Sequence, residues 1–167
     1  PVDNLTRKGW IQHRYSQLNG KARLETCLHA LLLAQPAFRA AAPAIAPAAT
    51  WIAKEPPLLT VHAPDDALRL FERLMQLFFE GQRRPCPLFP ETSWEYVAAQ
   101  KENKPFSATC WHTNRRAGRS GDYDDAWRRL AFPDAQWPTD IPGFEEIALE
   151  YLGPLYDMMH PAMTKSS

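Results

Sequence analysis

Residues 64–94 read PDDALRLFERLMQLFFEGQRRPCPLFPETSW, and this stretch decides the fold class. In its first half, apolar side chains recur at spacings of three and four, which predicts an amphipathic helix over residues 64–80. Pro64 suits the first helical position, and Gly81 suits the end of the helix. The side chains that we expect to face inward are Leu68, Phe71, Leu74, Met75 and Phe78.

The second half of the stretch begins with three prolines between residues 85 and 90. Because proline lacks an amide donor, neither a helix nor a sheet ladder can run through this segment. Thr92 and Glu95 then stand at the spacing of a capping box, in which each side chain accepts the other residue's free amide. We therefore expect a rigid extended segment, followed by a helix that begins at Thr92 and continues to about residue 101.

Toward the N-terminus, a helix is predicted over residues 21–34, with Asn19 as its N-cap and leucines at helical spacing. Residues 36–57 are rich in proline and alanine, and we expect an irregular connection there. Two short runs within and beyond this connection, residues 51–54 and 58–62, are apolar and partly β-branched. They predict two short strands.

Toward the C-terminus, residues 103–121 are polar and arginine-rich and predict a long loop, and loops of this length are usually functional or disordered. Asp122 or Asp124 then starts a predicted helix that ends near residue 132. Pro142 opens a final helix, which Gly153 and Pro154 should close. In the helix that ends near residue 132, the expected inward residues are Trp127, Leu130 and Ala131, and the expected outward residues are Arg128 and Arg129.

Composition limits the class of protein. The chain has 167 residues, 45% of them hydrophobic, which fits a single domain or a domain fragment with its own core. It begins without Met, and we expect a piece of a longer protein. Nineteen Lys+Arg balance nineteen Asp+Glu, which excludes a histone-like protein and an acidic tail. Three irregularly spaced cysteines argue against a disulfide framework and indicate a reducing cytosol.

The sequence offers weak candidates for catalysis or metal binding. Asp65 and Asp66 are better explained as charges in the first turn of a helix than as metal ligands. Residues 27–29 and 110–112 form two Cys-x-His pairs, but their spacing matches no common zinc pattern. No phosphate-binding loop and no Gly-x-Gly-x-x-Gly is present. We therefore predict no catalytic residue, no metal ligand and no cofactor in this chain.

Two groups of basic residues are candidates for contact with nucleic acid. One lies in the long loop, because arginines beside an aromatic ring can pair with phosphates and stack on bases. The other lies near the N-terminus, where cations alternate with Trp10 and Tyr15. A solvated surface that binds nothing is the alternative for both groups. The candidate DNA-binding residues are Arg115, Arg116, Arg119 and Trp111 in the first group and Arg7, Lys8 and Arg14 in the second.

The proline-rich segment PCPLFPETSW at residues 85–94, read with the helix before it, resembles the gamma subunit of exodeoxyribonuclease V. This is the RecC-like family of the RecBCD helicase–nuclease, in which a helix ending in Gly leads into a similar segment and another helix. Further similarities follow in the family's order at residues 21–33, 111, 121–132 and 144–155. The resemblance covers nearly the whole chain.

The resemblance implies an α+β fold from the C-terminal part of a RecC-like chain. This would be a helix-rich fragment of a degenerate restriction-endonuclease-like (PD-(D/E)XK) nuclease fold with a few short strands. It implies a noncatalytic subunit that guides DNA and acts as a scaffold in ATP-dependent duplex unwinding, resection and recombinational repair of double-strand breaks. The implied partners are RecB-like beta and RecD-like alpha subunits, which use ATP and Mg²⁺, and duplex or forked DNA, all in the bacterial cytoplasm.

Two other functions stay open at this point. The chain could be an active metal-dependent nuclease domain with ligands among Asp122, Asp124 and Asp125. It could also be a stand-alone protein-interaction module that uses exposed aromatic residues such as Trp10 and Trp137.

Overall fold

The computed structural model describes residues 4–14, 18–54, 58–113 and 121–160. The chain divides into two compact units, one formed by residues 1–76 with residues 157–167 and the other by Leu77–Tyr156. Together they form an α+β protein, as the sequence predicts. None of the helices in the described ranges is long and apolar enough to cross a membrane.

The first unit is built on a mixed sheet of four strands in the order β1-β2-β3-β4. Strands β2 and β3 are parallel, and the two outer pairs are antiparallel. Its elements are β1 (Leu5–Thr6), β2 (Gly9–His13), α1 (Gly20–Leu33), α2 (Pro36–Ala41), β3 (Ala48–Ile52) and β4 (Leu58–His62). Asn19 caps α1, because its Oδ1 accepts the Ala22 amide at 2.9 Å, as the sequence predicts.

Helix α1 connects the two parallel strands and packs against one face of the sheet. Trp51 of β3 is 2% exposed and shares a buried cluster with Leu18 and Ala22. Trp10 of β2 stacks on His29 of α1 with ring centroids 4.1 Å apart. This side of the sheet is therefore the core of the first unit.

Residues 36–57 contain more regular structure than the irregular connection that the sequence predicts. Pro36 occupies the first turn of α2, where its missing amide costs nothing, and β3 begins directly after Pro47. Arg39 fixes the link between α2 and β3, because its guanidinium donates to the carbonyls of Pro43 and Ile45. The prolines in this segment mark the starts of a helix and a strand and do not prevent either from forming.

The second unit is mostly helical around an aromatic core. The Phe89 ring lies 5.3 Å from Trp111 and 6.0 Å from Phe144, and Tyr96 lies 5.4 Å from Phe144. Helix α3 (Ala67–Gly81) enters this unit from the first one along the chain. The remaining helices are α4 (Pro90–Lys101), α5 (Ala126–Ala131), α6 (Phe144–Ile147) and α7 (Gly153–Met159).

Helix α3 ends at Gly81 as predicted, but it begins at Ala67 and buries a different face. Leu68 and Phe78 are 45% and 56% exposed, which corrects their predicted inward orientation, whereas Leu74 is buried. The helix carries two parallel apolar stripes at the same spacing, and the sequence does not tell which stripe faces the core. The buried stripe is Ala67, Leu70, Leu74 and Leu77.

Helix α5 also reverses its predicted orientation. Trp127 and Leu130 are 78% and 73% exposed, whereas Arg128 is 5% exposed. The Arg128 guanidinium donates to the Tyr123 carbonyl at 2.7 Å and lies 4.2 Å from the centroid of the Tyr123 ring. A buried cation with hydrogen bonds and an aromatic face is stable there, and its burial turns the apolar neighbours outward.

The capping box predicted at Thr92 is wrong. Helix α4 begins at Pro90, with Phe89 as the N-cap residue, and the Phe89 amide donates to Ser93 Oγ at 2.9 Å. Pro90 has no amide to satisfy and its fixed φ suits the first helical turn. Thr92 and Glu95 are thereby free for contacts outside the helix.

The final helix does not close at Gly153 and Pro154. A π-helical turn (Ala148–Leu152) follows α6 and leads directly into α7. A wider turn accommodates the missing amide of Pro154, so the chain continues as a helix. Two 3₁₀ turns, Asp122–Asp124 and Pro138–Asp140, complete the second unit.

Gly9 at the start of β2 is required by the sheet. Its φ is +104°, a conformation that side chains other than glycine rarely adopt. A Cβ at this position would lie 2.0 Å from the Ala48 carbonyl oxygen of the neighbouring strand. The close approach of β2 to β3 therefore depends on this glycine.

We predict that Gly9→Ala lowers the free energy of unfolding by about 2–3 kcal/mol, because it adds both backbone strain and a clash with β3. Urea unfolding of the chain measures the difference. Gly81→Ala is the control, since the nearest atom to a Cβ there is 3.7 Å away, and it should change stability by less than about 1 kcal/mol. Equal stability of the two variants would contradict the prediction.

Candidate nucleic-acid interface

The N-terminal hairpin presents Arg7 and Lys8 at its turn. The Thr6 hydroxyl donates to the Gly9 carbonyl at 3.0 Å and accepts the Lys8 amide at 3.1 Å, which fixes the turn. Both cationic side chains are exposed, and neither forms an ion pair with a described residue. The predicted residues therefore lie on a rigid projection of the sheet.

Arg14 lies at the opposite end of β2. Its amide donates to the Ile52 carbonyl of β3 at 2.9 Å, and its side chain is exposed. Lys54 follows β3 at the same end of the sheet, because β2 and β3 are parallel. Cations thus stand at both ends of β2.

The sheet and its flanking residues carry no acidic side chain in the parts that the structure describes. Residues 4–14, 46–54 and 58–63 contain Arg7, Lys8, Arg14 and Lys54 and no Asp or Glu. The described ranges therefore hold four cations, whereas Asp3 and Glu55, which border them in the sequence, lie outside the described residues. The equal numbers of basic and acidic residues in the whole chain conceal this local excess of positive charge.

Trp10 packs on the core side of the sheet, so its ring is not available to stack on a base. Its ring is nearly parallel to that of His29, with an angle of 9° between the planes. Burial lowers the pKa of His29 against the opposing effect of Glu25, which favours the neutral imidazole. The pair joins β2 to α1.

Arg115, Arg116 and Arg119 lie outside the described residues, within residues 114–120. The structure does describe the two residues that flank this segment. The Gly121 amide donates to Thr113 Oγ1 at 3.0 Å, so the two ends of the segment meet. A Cβ on Gly121 would lie 2.3 Å from the His112 carbonyl carbon, which leaves room for glycine alone.

Two aspartates fix the polypeptide around this junction. Asp124 accepts from both the amide and the hydroxyl of Thr113, and these bonds lower the pKa of Asp124. Asp122 accepts the amide and hydroxyl of Thr92 at 2.8 and 2.7 Å. Burial raises the pKa of Asp122, and the two bonds from Thr92 oppose this increase.

Glu95 holds the strand of polypeptide that precedes the junction. Its carboxylate accepts from the Ser107 hydroxyl, the Thr109 amide and hydroxyl, and the Cys110 amide, at 2.7–3.0 Å. Partial burial favours a higher pKa for Glu95, but these hydrogen bonds outweigh it and lower the pKa. Glu95 thus accepts hydrogen bonds from residues 107–110 that strand pairing would otherwise satisfy.

Trp111 is a core residue and has no surface for stacking on a base. It is fully buried, and its Nε1 donates to the Gln136 carbonyl at 2.8 Å. Its ring contacts Phe89, Tyr123 and the Arg128 guanidinium. Trp111 is close to the three arginines along the chain, as the sequence analysis noted. Its burial, however, gives it a structural role.

The carboxylates considered for nuclease chemistry all hold the backbone. Asp125 is the N-cap of α5 and accepts the Trp127 and Arg128 amides. Together with Asp122 and Asp124, it forms part of the local scaffold. Within the described ranges, no group of three His, Cys, Asp or Glu side chains could hold a metal ion.

An acid-x-lysine tripeptide, which sequence reasoning missed, occurs at Glu102, Asn103 and Lys104. Lys104 Nζ lies 2.5 Å from Glu102 Oε2, and both side chains are largely exposed. Tyr156 donates its hydroxyl to Glu102 Oε1 at 3.0 Å. The tripeptide follows the end of α4, and its lysine is used in a surface ion pair.

The Cys-x-His pairs show no zinc geometry. Cys27 is buried on α1, and burial raises its pKa to about 12, which keeps the thiol neutral and a poor ligand. His112 instead packs its ring against Tyr123 and Trp137.

A family model described as the RecC C-terminal domain matches residues 1–101. The chain belongs to this family. The match spans β1 to the last residue of α4 and confirms the resemblance found in the sequence. A comparison with curated proteins finds no match.

RecC is the gamma subunit of exodeoxyribonuclease V, so family membership supports a role for this chain in the gamma subunit of the RecBCD complex. Such a role belongs to DNA repair and recombination in association with other subunits. Of the candidate DNA-binding residues, Arg7, Lys8 and Arg14 lie inside the match to the RecC domain. The arginines of residues 114–120 lie beyond it.

We predict that Glu95→Gln lowers the free energy of unfolding at neutral pH by about 1–2 kcal/mol, after allowing for solvent screening of this half-exposed group. The amide keeps one acceptor and loses the charge that four donors face. Because the folded-state pKa of Glu95 is lowered, its contribution is present above the usual carboxyl pKa of roughly 4.3 and is lost as pH falls further.

Urea unfolding of the wild type and variant at several pH values checks both points, and the difference should shrink in acid. Glu80→Gln is the matched control, because Glu80 pairs with Arg84 at 2.8 Å on an exposed surface. This substitution should change the free energy of unfolding by less than about 0.5 kcal/mol. A pH-independent loss for Glu95→Gln would reject the role of the charge.

Proposed function

We propose that this chain is a noncatalytic part of RecC that guides DNA and serves as a scaffold during ATP-dependent unwinding and resection. The observation that carries the proposal is the cationic sheet of the first unit. Arg7, Lys8 and Arg14 are exposed at the two ends of β2, and none of the four strands contains an acidic residue. Sequence-independent attraction to phosphates needs this distribution of charge.

The arginines at positions 115, 116 and 119 are the second part of the proposed DNA contact. Support comes from the junction between Thr113 and Gly121, which returns the chain to the same point after a short excursion. Arg115, Arg116 and Arg119 also lie within five positions of one another in the sequence, which gives a high local density of positive charge. Their partner would be duplex or forked DNA.

The proposal that this chain is noncatalytic is supported by the structural roles of three carboxylates. Asp122, Asp124 and Asp125 accept hydrogen bonds from Thr92, Thr113 and the first turn of α5. We infer that the domain derives from a restriction-endonuclease-like fold that has lost its metal site. A mixed sheet with a helix on one face agrees with such an origin.

The scaffold role concerns the RecB-like beta and RecD-like alpha subunits. Helix α5 offers Trp127 and Leu130, which are largely exposed and adjacent on one helix face, for a contact between subunits. ATP and Mg²⁺ would be used by those partner subunits and not by this chain. Cys27, Cys86 and Cys110, all of them described residues, form no disulfide, which agrees with action in the bacterial cytoplasm.

We predict that replacing Arg7, Lys8 and Arg14 by Gln weakens DNA binding by the assembled complex. The slope of log K against log salt should become shallower by about 2–3, because each lost phosphate contact removes ~0.9 from the slope. Fluorescence anisotropy with forked DNA over a range of salt measures this. The same replacement at Arg115, Arg116 and Arg119 tests the second group separately.

The control for these variants replaces Arg84 and Lys104, which already pair with Glu80 and Glu102. It should leave affinity and slope unchanged. An unchanged salt slope for the triple variant at Arg7, Lys8 and Arg14 would reject the proposed DNA contact.

The nuclease alternative makes the opposite prediction for two carboxylates. We predict that Asp124→Ala and Asp125→Ala leave Mg²⁺-dependent cleavage by the complex unchanged, because these side chains hold Thr113 and α5. Gel assays of a labelled duplex at a temperature where the variants stay folded measure this. Loss of cleavage in both folded variants would favour an active nuclease centre in this domain.

A further inference from the structure

The start of α1, the helix that connects β2 and β3, carries a chemically reactive pair of residues. Asparagine is followed by glycine at one point in the sequence, where Asn19 precedes Gly20. Such a pair is prone to deamidation, because glycine has no Cβ to hinder attack by its nitrogen on the asparagine side chain. Asn19 is exposed, so water can reach its side chain.

Deamidation of this pair would pass through a cyclic imide. The Gly20 nitrogen attacks Asn19 Cγ, the bond from Cγ to Nδ2 breaks, and the departing ammonia takes the proton of the Gly20 amide. Water then opens the five-membered ring. Attack of water on Cγ restores the main chain and leaves aspartate at position 19. Attack on the main-chain carbonyl carbon leaves isoaspartate, in which the main chain runs through Cβ and Cγ. Water is the single co-reactant.

The hydrogen bonds of Asn19 oppose closure of the ring. Its Oδ1 accepts the Ala22 amide at 2.9 Å, and its main-chain carbonyl accepts the Arg23 amide at 3.0 Å. The first bond fixes the side chain over the end of the helix, and the second fixes the carbonyl over the first turn. Because the imide contains both the side-chain and the main-chain carbonyl carbon, its formation must turn both groups away from these partners.

The backbone conformation of Asn19 opposes closure independently of these bonds. Its φ and ψ are −96° and 173°. In a flat imide ring, Asn19 Cβ and the Gly20 nitrogen are nearly eclipsed about the bond from Cα to the carbonyl carbon, whereas a ψ of 173° holds them staggered. Gly20 is buried as the first residue of α1. The required rotation therefore displaces the first turn of the helix.

We propose that Asn19 and Gly20 form a deamidation site that is closed in the folded protein and reacts only after the first turn of α1 has opened. An N-cap hydrogen bond of ordinary strength makes such opening about fivefold rarer, and the burial of Gly20 adds to the protection. The site does not depend on contact with DNA or with another subunit.

The two products differ in their effect on the connection between β2 and β3. Aspartate keeps an oxygen that can accept the Ala22 amide, and its charge faces the positive end of the helix. Isoaspartate lengthens the main chain by one carbon and displaces the capping oxygen. Leu18 and Ala22, on either side of position 19, both pack with Trp51 in the core of the first unit. Formation of isoaspartate thus converts a transient opening of α1 into lasting damage to this core.

The test uses the full-length gamma subunit within the assembled complex, incubated at mildly alkaline pH with and without enough urea to unfold it. Peptide mapping by mass spectrometry measures the conversion of Asn19 and Asn103 in the same sample. In urea, Asn19 should convert faster than Asn103, because Lys104 has the Cβ that Gly20 lacks. In the folded complex, conversion of Asn19 should be at least about fivefold slower than in urea.

Asn103 is the internal control, because it is exposed beyond the end of α4 and caps no helix N-terminus. The inference is overturned if urea accelerates the conversion of Asn19 no more than that of Asn103, since the cap would then give no protection. It is also overturned if Asn19 converts no faster than Asn103 in urea, since the pair would then not be reactive.

A second measurement does not require the variant to fold. Gly20→Ala places a Cβ beside the attacking nitrogen, and in urea it should reduce the conversion of Asn19 to the level of Asn103. Separation of the isomeric peptides from the unfolded wild type should also show isoaspartate, which only the cyclic imide produces. Undiminished conversion in Gly20→Ala, or aspartate as the sole product in the wild type, would refute the proposed chemistry.

Discussion

The parallel pairing of β2 and β3 is the constraint on which the first unit depends. Parallel neighbours cannot be joined by a tight turn, so the chain must cross over, and α1 is that crossover. A single crossover helix covers a single face of the sheet. The same pairing brings the residues after β2 and β3, Arg14 and Lys54, to one end of the sheet. The buried face, the uncovered face and the cations at one end of the sheet all follow from the pairing of β2 with β3.

The close approach of these strands explains why Gly9 has no substitute. The Ala48 carbonyl occupies the space that a side chain would need, and the positive φ of Gly9 lets the hairpin turn directly into β2. The turn residues Arg7 and Lys8 are consequently fixed relative to the strands. A hairpin whose backbone is already fixed loses little backbone entropy on binding, which favours recognition by a short hairpin.

In the second unit, hydrogen bonds to carboxylate side chains fix chain segments, in place of the strand pairing that orders the first unit. Glu95 and Asp124 each accept two or more hydrogen bonds from chain that is neither helix nor strand, and Asp122 accepts two from Thr92 in the first turn of α4. Sequence periodicity detects none of these contacts, because they join residues 11–30 positions apart. This is why Thr92 and Glu95 appeared to form a local capping box. Their actual partners, Asp122 and residues 107–110, can be found only in the folded chain.

What the sequence could predict was element existence and local chemistry. The Asn19 cap, β4 and the end of α3 at Gly81 follow from short-range rules and are confirmed. Which face of a helix is buried is a tertiary property wherever the sequence offers two answers. Helix α3 has two apolar stripes, and α5 buries Arg128 in place of Trp127, because a guanidinium can satisfy several carbonyls at once.

The same distinction applies to the candidate interface. Composition could single out Arg7, Lys8 and Arg14, but it could not show that Trp10, which lies between them in the sequence, packs on His29 of α1. Alternation along β2 assigns residues to two faces without telling which one α1 covers. Only the strand registers show that Ile11, Thr50 and Thr60 lie side by side across β2, β3 and β4. Which strand residues lie on the side opposite α1 can therefore be known only from the folded chain.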